Sequence, residues 1–489
     1  MREFFLILPE VCIVLTLAFV IAGEITHSGE RIRLIGTAAL IGIAGALIQT
    51  IISYGYGPTK VFGGSLSIDG FSLFFKLVFM TLGMLAIFLM FQSKEIAVGR
   101  RTEYIALVLA SILSMCLVAS ASDLVVAFLA LLFMNLISYV LAAYGQKSAY
   151  SAEAGIKFLA FGAVSSALLL YGFAILFAST HTLNLYEMHQ ALLANPLSFE
   201  VMWVVFSLCF LAFSFQLGTF PMYLLVPDVL EGAPTPVSAF LSIGPRAAGF
   251  ALVTRLLIVL FAQPGAVPGR WEVLGEMHWT QIVSLVSGIT MIVGALLAFR
   301  QQGAKRLVSD LVVAESGFLL MGLLVLDEVG IAALLYNLVV QLFALIGIFF
   351  ILGFLVDELQ SDRLVCMRGM LKRAVPECIC LILFLFCLVG SPPLPGFIGK
   401  FTLIGSAIRH KRLALAGVAI FSMVLSIASV TRLSYDLISP VKGESPAAVP
   451  VSYSRKTFLA FLIIPMALVG IFANFVLGWA GRSLGFIFR

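Results

Sequence analysis

The stretch FPMYLLVPDVLEGAPTPVSAFLS, residues 220–242, interrupts a long apolar segment with four prolines and two acidic residues. Proline has no backbone N–H and breaks the interior of a helix, so this stretch frees carbonyl groups that a continuous helix would satisfy. Apolar runs of roughly 20 residues lie on both sides, each long enough to cross about 30 Å of hydrocarbon. Freed backbone groups at that depth are tolerated only inside protein or beside a wet cavity. The stretch therefore predicts a broken membrane helix next to a buried polar site.

The composition of the whole chain points to a lipid environment. Of its 489 residues, 61% are hydrophobic and 11% are charged, whereas soluble domains average about a quarter charged residues. Backbone groups in lipid must bond internally, and no run of alternating ten-residue segments favours a barrel. The sequence thus predicts an all-α membrane protein. We count fourteen transmembrane helices, called spans 1–14 in chain order, at 4–23, 32–52, 71–92, 104–121, 123–145, 153–178, 200–226, 235–261, 279–300, 306–326, 329–356, 378–406, 413–438 and 457–480.

A second interruption, SPPLPGFIGKF at residues 391–401, falls in span 12. Spans 4–8 and 9–13 form two sets of five, and the breaks in spans 7 and 12 fall in the fourth member of each set. Repeats with an odd number of spans have inverted topology, and broken helices at matching positions indicate a transport site. The predicted organisation is an N-terminal three-helix segment, a first antiporter-like repeat, a second inverted repeat and a C-terminal helix, at residues 1–103, 104–261, 279–438 and 457–489.

Loop charges predict how the chain is oriented. Loops that follow odd-numbered spans carry sixteen Lys and Arg residues, and the opposite side, termini included, carries eight. The positive-inside rule places the richer side in the cytoplasm and both termini on the non-cytoplasmic side. The net charge of +5 reflects these loops, and we predict no nucleic-acid partner. Seven scattered cysteines without a C-x-x-C pair do not favour an iron–sulfur or zinc site.

Several charges remain inside the predicted spans. A charge at the bilayer centre costs about 2.5–3.5 kcal/mol on insertion scales, so such residues usually face the bundle interior. Six basic residues lie within spans: Lys76, Lys157, Arg246, Arg255, Lys400 and Arg432. Three of them, Lys157, Arg246 and Lys400, lie beside small or kinked backbone and are candidates for function. We expect the other three to snorkel or to cap a helix end.

The chain resembles the antiporter-like N subunit of proton-pumping NADH:quinone oxidoreductase, respiratory complex I. Residues 227–238, PDVLEGAPTPVS, fit the family pattern P-D-V-x-x-G-A-P-x-P-V-S, and the family's G-F-I-G-K-F is intact at 396–401. The resemblance covers essentially the whole chain. Four weaker matches are AEAGIKF at 152–158, AKRLVSD at 304–310, ILPE at 7–10 and SIDGF at 67–71. The last two favour the N type over the M and L types.

The resemblance implies proton translocation by ionisable groups along the membrane midplane. In the family, a Glu of span 5 pairs with a Lys of span 7, and spans 6, 8 and 12 supply further Lys residues. Here Lys157 and Lys400 are retained, and Arg246 occupies the base position of span 8. Asn135 occupies the acid position of span 5 and Gln216 the base position of span 7. Amides cannot carry a proton through a charge change, and Arg does not deprotonate in proteins. We interpret the double change as an amide pair in place of an ion pair.

A change in span 10 partly offsets this loss. Glu315 stands where the family usually has a His, and under the inverted repeat spans 10 and 12 correspond to spans 5 and 7. Our hypothesis is that Glu315 and Lys400 form the working ion pair. The alternative is that Glu315 faces the polar residues Ser309, Asp310 and Ser316 near the cytoplasmic rim.

The acidic residues of the opening stretch have two interpretations. Asp228 and Glu231 are expected at the cytoplasmic mouth of the break in span 7, where they would serve proton uptake. Alternatively, Asp228 caps the start of the next helix or bonds loop amides.

The resemblance implies a membrane-arm subunit that couples quinone reduction to proton translocation in the bacterial cytoplasmic membrane. Expected partners are M-type and K-type membrane neighbours, the lipid bilayer and, through the neighbours, a peripheral redox arm. No cofactor is expected on this chain; NADH, FMN, iron–sulfur clusters and quinone are expected on partner subunits. Two other functions stay open. One is an antiporter-like subunit of a membrane-bound hydrogenase or a multisubunit Na+/H+ antiporter, and the other is a structural spacer that has lost transport.

Overall fold

The structure, a computed structural model, describes residues 2–26, 32–145, 149–265, 269–273, 278–439 and 453–484. These residues are mostly α-helical, with two short hairpins. Twelve helical segments among them are long and apolar enough to cross a membrane, or thirteen when one bent pair counts as a single span. The all-α membrane architecture is confirmed, whereas the number fourteen is not. The difference lies at span 12, which consists of two 15-residue helices that are each too short to cross alone.

The N-terminal segment combines three long helices with a hairpin. Its elements are α1 (Arg2–Thr26), α2 (Ile32–Ser53), β1 (Thr59–Val61), β2 (Leu66–Ile68) and α3 (Gly70–Gln92). The two strands are antiparallel, with Thr59 opposite Ile68. α3 begins after Asp69, whose carboxylate accepts the backbone N–H of Ser72 at 2.7 Å while the Ser72 hydroxyl accepts the N–H of Asp69. This reciprocal cap fixes the first turn of α3.

Two cations that we expected at helix ends are instead buried in ion pairs. Lys76 Nζ lies 2.6 Å from Glu10 Oε1, which joins α3 to α1. Arg255 donates two hydrogen bonds, of 2.8 and 3.0 Å, to the carboxylate of Asp69. Because both cations are 0% exposed, the snorkelling interpretation is wrong for them: an acid from another part of the chain compensates each charge in place. Arg432, by contrast, is exposed.

Asp69→Asn is expected to lower the free energy of unfolding by about 3–5 kcal/mol, because Arg255 would stay buried without an anion. Asparagine keeps an oxygen that can cap α3, so the loss reports the ion pair. Denaturant unfolding of the detergent-purified protein measures it. Arg432→Gln removes an exposed charge and serves as the control, with a change within about 0.5 kcal/mol. Equal stabilities of the two variants would contradict a structural role for the Asp69–Arg255 pair.

The predicted first repeat contains the break in span 7. Its helices are α4 (Arg101–Ser120), α5 (Leu124–Ala142), α6 (Ala149–Thr180), the short α7 (Leu185–Ala194), α8 (Phe199–Leu217), α9 (Leu225–Gly232), α10 (Thr235–Leu241) and α11 (Gly244–Phe261). α8 ends at Gly218, whose φ of 66° is a left-handed conformation that favours glycine. A short 3-10 turn then leads into α9. Span 7 is therefore broken near Pro221, as predicted. Span 8 is also interrupted, at Ser242 and Ile243, which the sequence did not predict.

The second set of five repeats this arrangement. A hairpin of β3 (Ala262–Pro264) and antiparallel β4 (Trp271–Val273) precedes α12 (Trp279–Arg300), α13 (Ala304–Leu324), α14 (Glu328–Leu359), α15 (Met370–Arg373), α16 (Val375–Val389), α17 (Pro395–Arg409) and α18 (Leu413–Ile438). α16 ends at Gly390, with φ 81°, and α17 begins five residues later. Each set of five thus has its break in the fourth member, after a left-handed glycine. The boundaries of the two repeats stay predictions.

The C-terminal part differs from the predicted single span at 457–480. Two helices, α19 (Tyr453–Ile471) and α20 (Ala473–Leu484), meet at an angle of 80°. α20 packs against the bundle, where the ring of Trp479 lies 4.7 Å from that of Phe74 in α3. The predicted span therefore contains a bend that the sequence did not indicate, and this packing holds the twelve residues of α20 against the bundle.

The centre of the bundle is formed by α11 and α13. All residues of α11 are buried, as are all residues of α13 except Arg306. α14 and α17 pack against this centre, and α17 is the second half of the broken span 12. Polar side chains on these four helices therefore meet inside the protein, away from lipid.

Candidate functional site

Glu315 and Lys400 are in direct contact at the centre of the bundle. Lys400 Nζ donates to Glu315 Oε1, and each residue is 1% exposed. The ammonium also lies 4.5 Å from the centre of the Phe318 ring, a cation–π contact. The break in span 12 makes room for this arrangement: a Cβ on Gly390 would lie 2.7 Å from Lys400 Cδ. The structure thus brings together the two residues that we hypothesised to pair, and Glu315 does not face the cytoplasmic rim.

Gln341 of α14 connects this pair to Arg246. Its Nε2 donates to Glu315 Oε2 at 3.2 Å, and its Oε1 accepts from Arg246 Nη2 at 2.6 Å. The sequence analysis missed Gln341 because a neutral amide carries no charge signal. The one available signal was its spacing of four residues from Asn337, which places two amides on one face of a very apolar helix.

Arg246 is fixed by further contacts to α13. Its Nη1 donates to the carbonyl oxygen of Val312 at 3.0 Å and to Ser316 Oγ at 3.4 Å. Since an Arg side chain remains charged in proteins, it supplies a permanent positive charge beside Glu315. The buried group of Arg246, Gln341, Glu315 and Lys400, called here the central group, holds two cations and one anion.

Gln216 and Asn135 do not form the expected amide pair. Gln216 Nε2 donates to the carbonyl oxygen of Pro245 at 2.7 Å, and its Oε1 lacks a hydrogen-bond partner among the described residues. Asn135 is buried in α5, and the part of the chain that the structure describes offers its Oδ1 no partner. The amide-pair interpretation is wrong because the carbonyl of Pro245, at the start of α11, satisfies the Gln216 amide in place of Asn135.

A small cavity joins Gln216 to the central group. It has a volume of about 60 Å³, and its mostly apolar lining includes the polar residues Gln216, Ser242, Arg246 and Ser316. A cavity needs roughly 10–15 Å³ of such volume and two to four polar partners to hold a water molecule. The cavity is therefore large enough to hold water beside Gln216 and Arg246.

A second, larger cavity opens on the side that we predict to be cytoplasmic. This vestibule, of about 830 Å³, is lined by charged residues of both signs: Glu95, Glu153, Lys157, Asp228, Glu231, Lys305, Arg306, Asp362 and Arg363. Asp362 lies in a loop outside the membrane spans, and burial raises the pKa of its carboxyl to about 6 against the opposing effect of the Lys305 backbone N–H. The vestibule is thus a polar, partly open space that can admit water.

Asp228 lies within α9 and pairs with two cations of the vestibule. Its carboxylate accepts from Lys157 Nζ at 2.9 Å and from Arg306 Nη2 at 3.1 Å. The capping interpretation is wrong, because Glu95 instead accepts the backbone N–H of Thr235, the first residue of α10, at 2.6 Å. Asp228 does lie beside the broken span, as the mouth interpretation expected.

Lys157 lies at the edge of the vestibule. Its side chain is 41% exposed and is held by Glu153 at 2.8 Å as well as by Asp228. In the described ranges, no hydrogen bond or ion pair joins Lys157 to the central group. The predicted site residues therefore divide into an outer set in the vestibule and an inner set around Glu315.

Comparison with known proteins places this arrangement in a family. The family described as "NADH:quinone oxidoreductase/Mrp antiporter, TM" matches residues 121–426. NADH-quinone oxidoreductase subunit N 2 of Chloroherpeton thalassium is 31% identical over 425 residues, which is 86% of this chain and 82% of that protein. Subunit N of Moorella thermoacetica is 32% identical over 467 residues, 94% of this chain and 93% of that protein.

Solved structures share the fold. A chain of respiratory complex I from Thermus thermophilus with bound Aureothin has a TM-score of 0.78 at 23% identity, covering 97% of this chain and 99% of its own. A chain of the Mrp complex from a Dietzia species has a TM-score of 0.84 at 16% identity, covering 99% and 96%. A chain of the archaeal membrane-bound sulfane sulfur reductase reaches 0.85 at 20% identity, covering 99% and 98%.

The two broken spans, and the buried ion pair that joins span 10 to broken span 12, define a membrane protein of the antiporter-like class. The chain belongs to the NADH:quinone oxidoreductase/Mrp antiporter transmembrane family, within its subunit N branch.

Proposed function

We propose that this chain is an antiporter-like membrane-arm subunit of a bacterial NADH:quinone oxidoreductase, and that it helps couple quinone reduction to proton translocation. The observation that carries the proposal is the buried ion pair of Glu315 and Lys400 beside the broken span 12. A charge pair in the bundle interior is costly to keep and typical of proton pathways. The subunit N relatives support the choice of complex.

The partners and location follow as part of the same proposal. M-type and K-type neighbours would flank the chain in the membrane arm, and a peripheral arm would carry FMN, the iron–sulfur clusters and the sites for NADH and quinone. No redox centre is assigned to this chain. The chain would lie in the cytoplasmic membrane with both termini on the non-cytoplasmic side, so that the vestibule opens to the cytoplasm.

The geometry supports proton handling in the second half of the chain. Protonation of Glu315 would remove the anion that holds the Lys400 ammonium, so a proton could pass to or from Lys400 as the pair opens and closes. In the first half, Gln216 and Arg246 cannot change charge. Gln216 would provide a polar wall for water in the small cavity, and Arg246 would hold a fixed positive charge beside Glu315.

Lys400→Met in the assembled complex is expected to lower the number of protons pumped per electron, because methionine fills the site without an ionisable group. The measurement combines quinone reduction with the acidification of proteoliposomes. Lys372→Met, at an exposed position of α15, is the control for the same chemical change. An unchanged ratio in Lys400→Met would favour the structural spacer.

A second possibility is that the chain belongs to a different membrane complex. One observation favours it: the TM-scores are 0.84 with a chain of an Mrp complex and 0.85 with a chain of a sulfane sulfur reductase. Purification of the chain with its neighbours from native membranes separates these possibilities. Co-purification of an NADH- or quinone-reactive arm supports the proposal. Co-purification of a nickel–iron hydrogenase arm, or of antiporter subunits without a redox arm, would overturn it.

A further inference from the structure

Asp310 is a buried carboxyl group that the Glu315–Lys400 pair does not use. It lies in α13 and is 1% exposed. Neither of its side-chain oxygens makes a hydrogen bond of normal geometry within the described ranges, although the Gln301 side chain approaches the carboxyl. Burial disfavours a carboxylate with so few donors and favours the neutral acid. The side chain therefore meets the basic requirement for a group that takes up and releases a proton.

The depth of Asp310 lies between the vestibule and the central group. Arg306, one helical turn earlier on the same face of α13, lines the vestibule. Glu315 follows five residues later, about 7.5 Å further along the helix axis. Val312, two residues after Asp310, provides the carbonyl oxygen that binds Arg246. A proton that moves from the vestibule toward Glu315 along α13 would thus pass the level of Asp310.

The surroundings of Asp310 on each neighbouring element are defined. α9 contributes the carboxylates of Asp228 and Glu231, α13 itself contributes Arg306, and the amide of Gln301 follows the end of α12. α12 packs tightly on the other side: a Cβ on Gly294 would lie 2.9 Å from the backbone oxygen of Asp310. Asp310 itself is not among the residues that line the vestibule, whereas Arg306, one turn earlier on α13, is.

We propose that Asp310 is a proton-accepting group that receives protons from the vestibule and delivers them to Glu315. This inference rests on the proposed function and adds an uptake step to it. Hydronium in the vestibule gives a proton to the Asp310 carboxylate: one O–H bond forms on Asp310, one O–H bond of hydronium breaks, and water is left. The Asp310 O–H bond then breaks, and water carries the proton to a Glu315 oxygen, which loosens the ion pair with Lys400. Charge and atoms balance, with hydronium as the proton donor and water as the carrier.

Asp310→Asn in the assembled complex tests the proposal, because asparagine keeps the shape and cannot carry the proton. Protons pumped per electron are expected to fall to the value of Lys400→Met. Asp310→Glu keeps a carboxyl and is expected to restore pumping. Ser309→Ala changes the neighbouring buried polar residue and is expected to pump as wild type. A wild-type ratio in Asp310→Asn, while Lys400→Met is impaired, would overturn the inference and leave the proposed function standing.

Infrared difference spectroscopy during a pH titration tests independently whether the Asp310 carboxyl takes up and releases a proton. The wild-type complex is expected to show a carboxylic acid C=O band that is lost in Asp310→Asn, shifted in Asp310→Glu and kept in Ser309→Ala. A band that is identical in wild type and Asp310→Glu overturns the inference even if Asp310→Asn fails to assemble. If neither Lys400→Met nor Asp310→Asn alters pumping, the proposed function fails as well.

Discussion

Glu315→Gln is expected to reduce the free energy of unfolding by about 3–5 kcal/mol, the usual cost when a buried ion pair loses one partner. Glu315 contacts Lys400 directly and Arg246 through Gln341. In the described part of the chain, no other acid pairs with either cation. Removal of the Glu315 charge therefore leaves two buried cations without an anion.

Lys400→Met is expected to cost less stability than Glu315→Gln. The Glu315 carboxylate would keep the hydrogen bond from Gln341 and the nearby charge of Arg246. The double variant Glu315→Gln/Lys400→Met is likewise expected to be more stable than Glu315→Gln alone, because only Arg246 would lack an anion. Because Lys400→Met is expected to cost less stability than Glu315→Gln, it is the better probe of pumping.

Denaturant unfolding of the two single variants and the double variant gives the coupling energy between Glu315 and Lys400. Glu200→Gln, an exposed acid in the first turn of α8, is the control for the loss of a carboxylate. A Glu315→Gln variant within about 0.5 kcal/mol of that control would show that the pair does not stabilise the protein. A stability order with Lys400→Met below Glu315→Gln would contradict the role given to Arg246.

The breaks in the membrane helices could be predicted because their cause is local. Proline has no N–H wherever the chain folds, so residues 220–242 and 391–401 had to end helices. The contact of Glu315 with Lys400 could be hypothesised because spans 10 and 12 correspond to spans 5 and 7 in the repeat. Span 14 was different: nothing in its apolar run indicated that Trp479 would pack beside Phe74 and turn α20 by 80°.

Distant partners outside the two matching repeats could not be predicted. Asp69 and Arg255 are separated by 186 residues, and each alone is typical of a cap or a snorkelling cation. Asp228 precedes a proline-rich helix start and is a residue type typical of a cap, but Glu95, in the loop after span 3, accepts the backbone N–H at that helix start instead. Gln341 was missed because its importance comes only from the two charged neighbours that the fold places around it. Sequence therefore indicates which charges are buried, and tertiary packing decides what compensates them.

Gln216→Lys is expected to destabilise the protein by about 3 kcal/mol, the cost of an uncompensated charge at membrane depth. The substitution would restore the ionisable residue that the family usually has at this position, in surroundings that no longer accept it. Gln216 shares its small cavity with Arg246, and no acidic residue lines that cavity. The side chain cannot move away either, because the α11 backbone is close: a Cβ on Gly249 would lie 2.5 Å from Gln216 Cγ. Two cations would therefore share one small cavity with no acid to compensate them.

A second substitution separates this charge effect from simple misfit. Gln216→Lys/Arg246→Gln restores one positive charge in the cavity and is expected to recover most of the stability lost in Gln216→Lys. Gln216→Met, similar in size and neutral, is the control for packing and is expected to lose only the hydrogen bond to Pro245, about 1 kcal/mol. Unfolding midpoints in detergent and the yield of assembled complex measure all three variants. A Gln216→Lys variant as stable as Gln216→Met would mean that the cavity already neutralises a second cation, and the first half of the chain would then regain a place in the proton path.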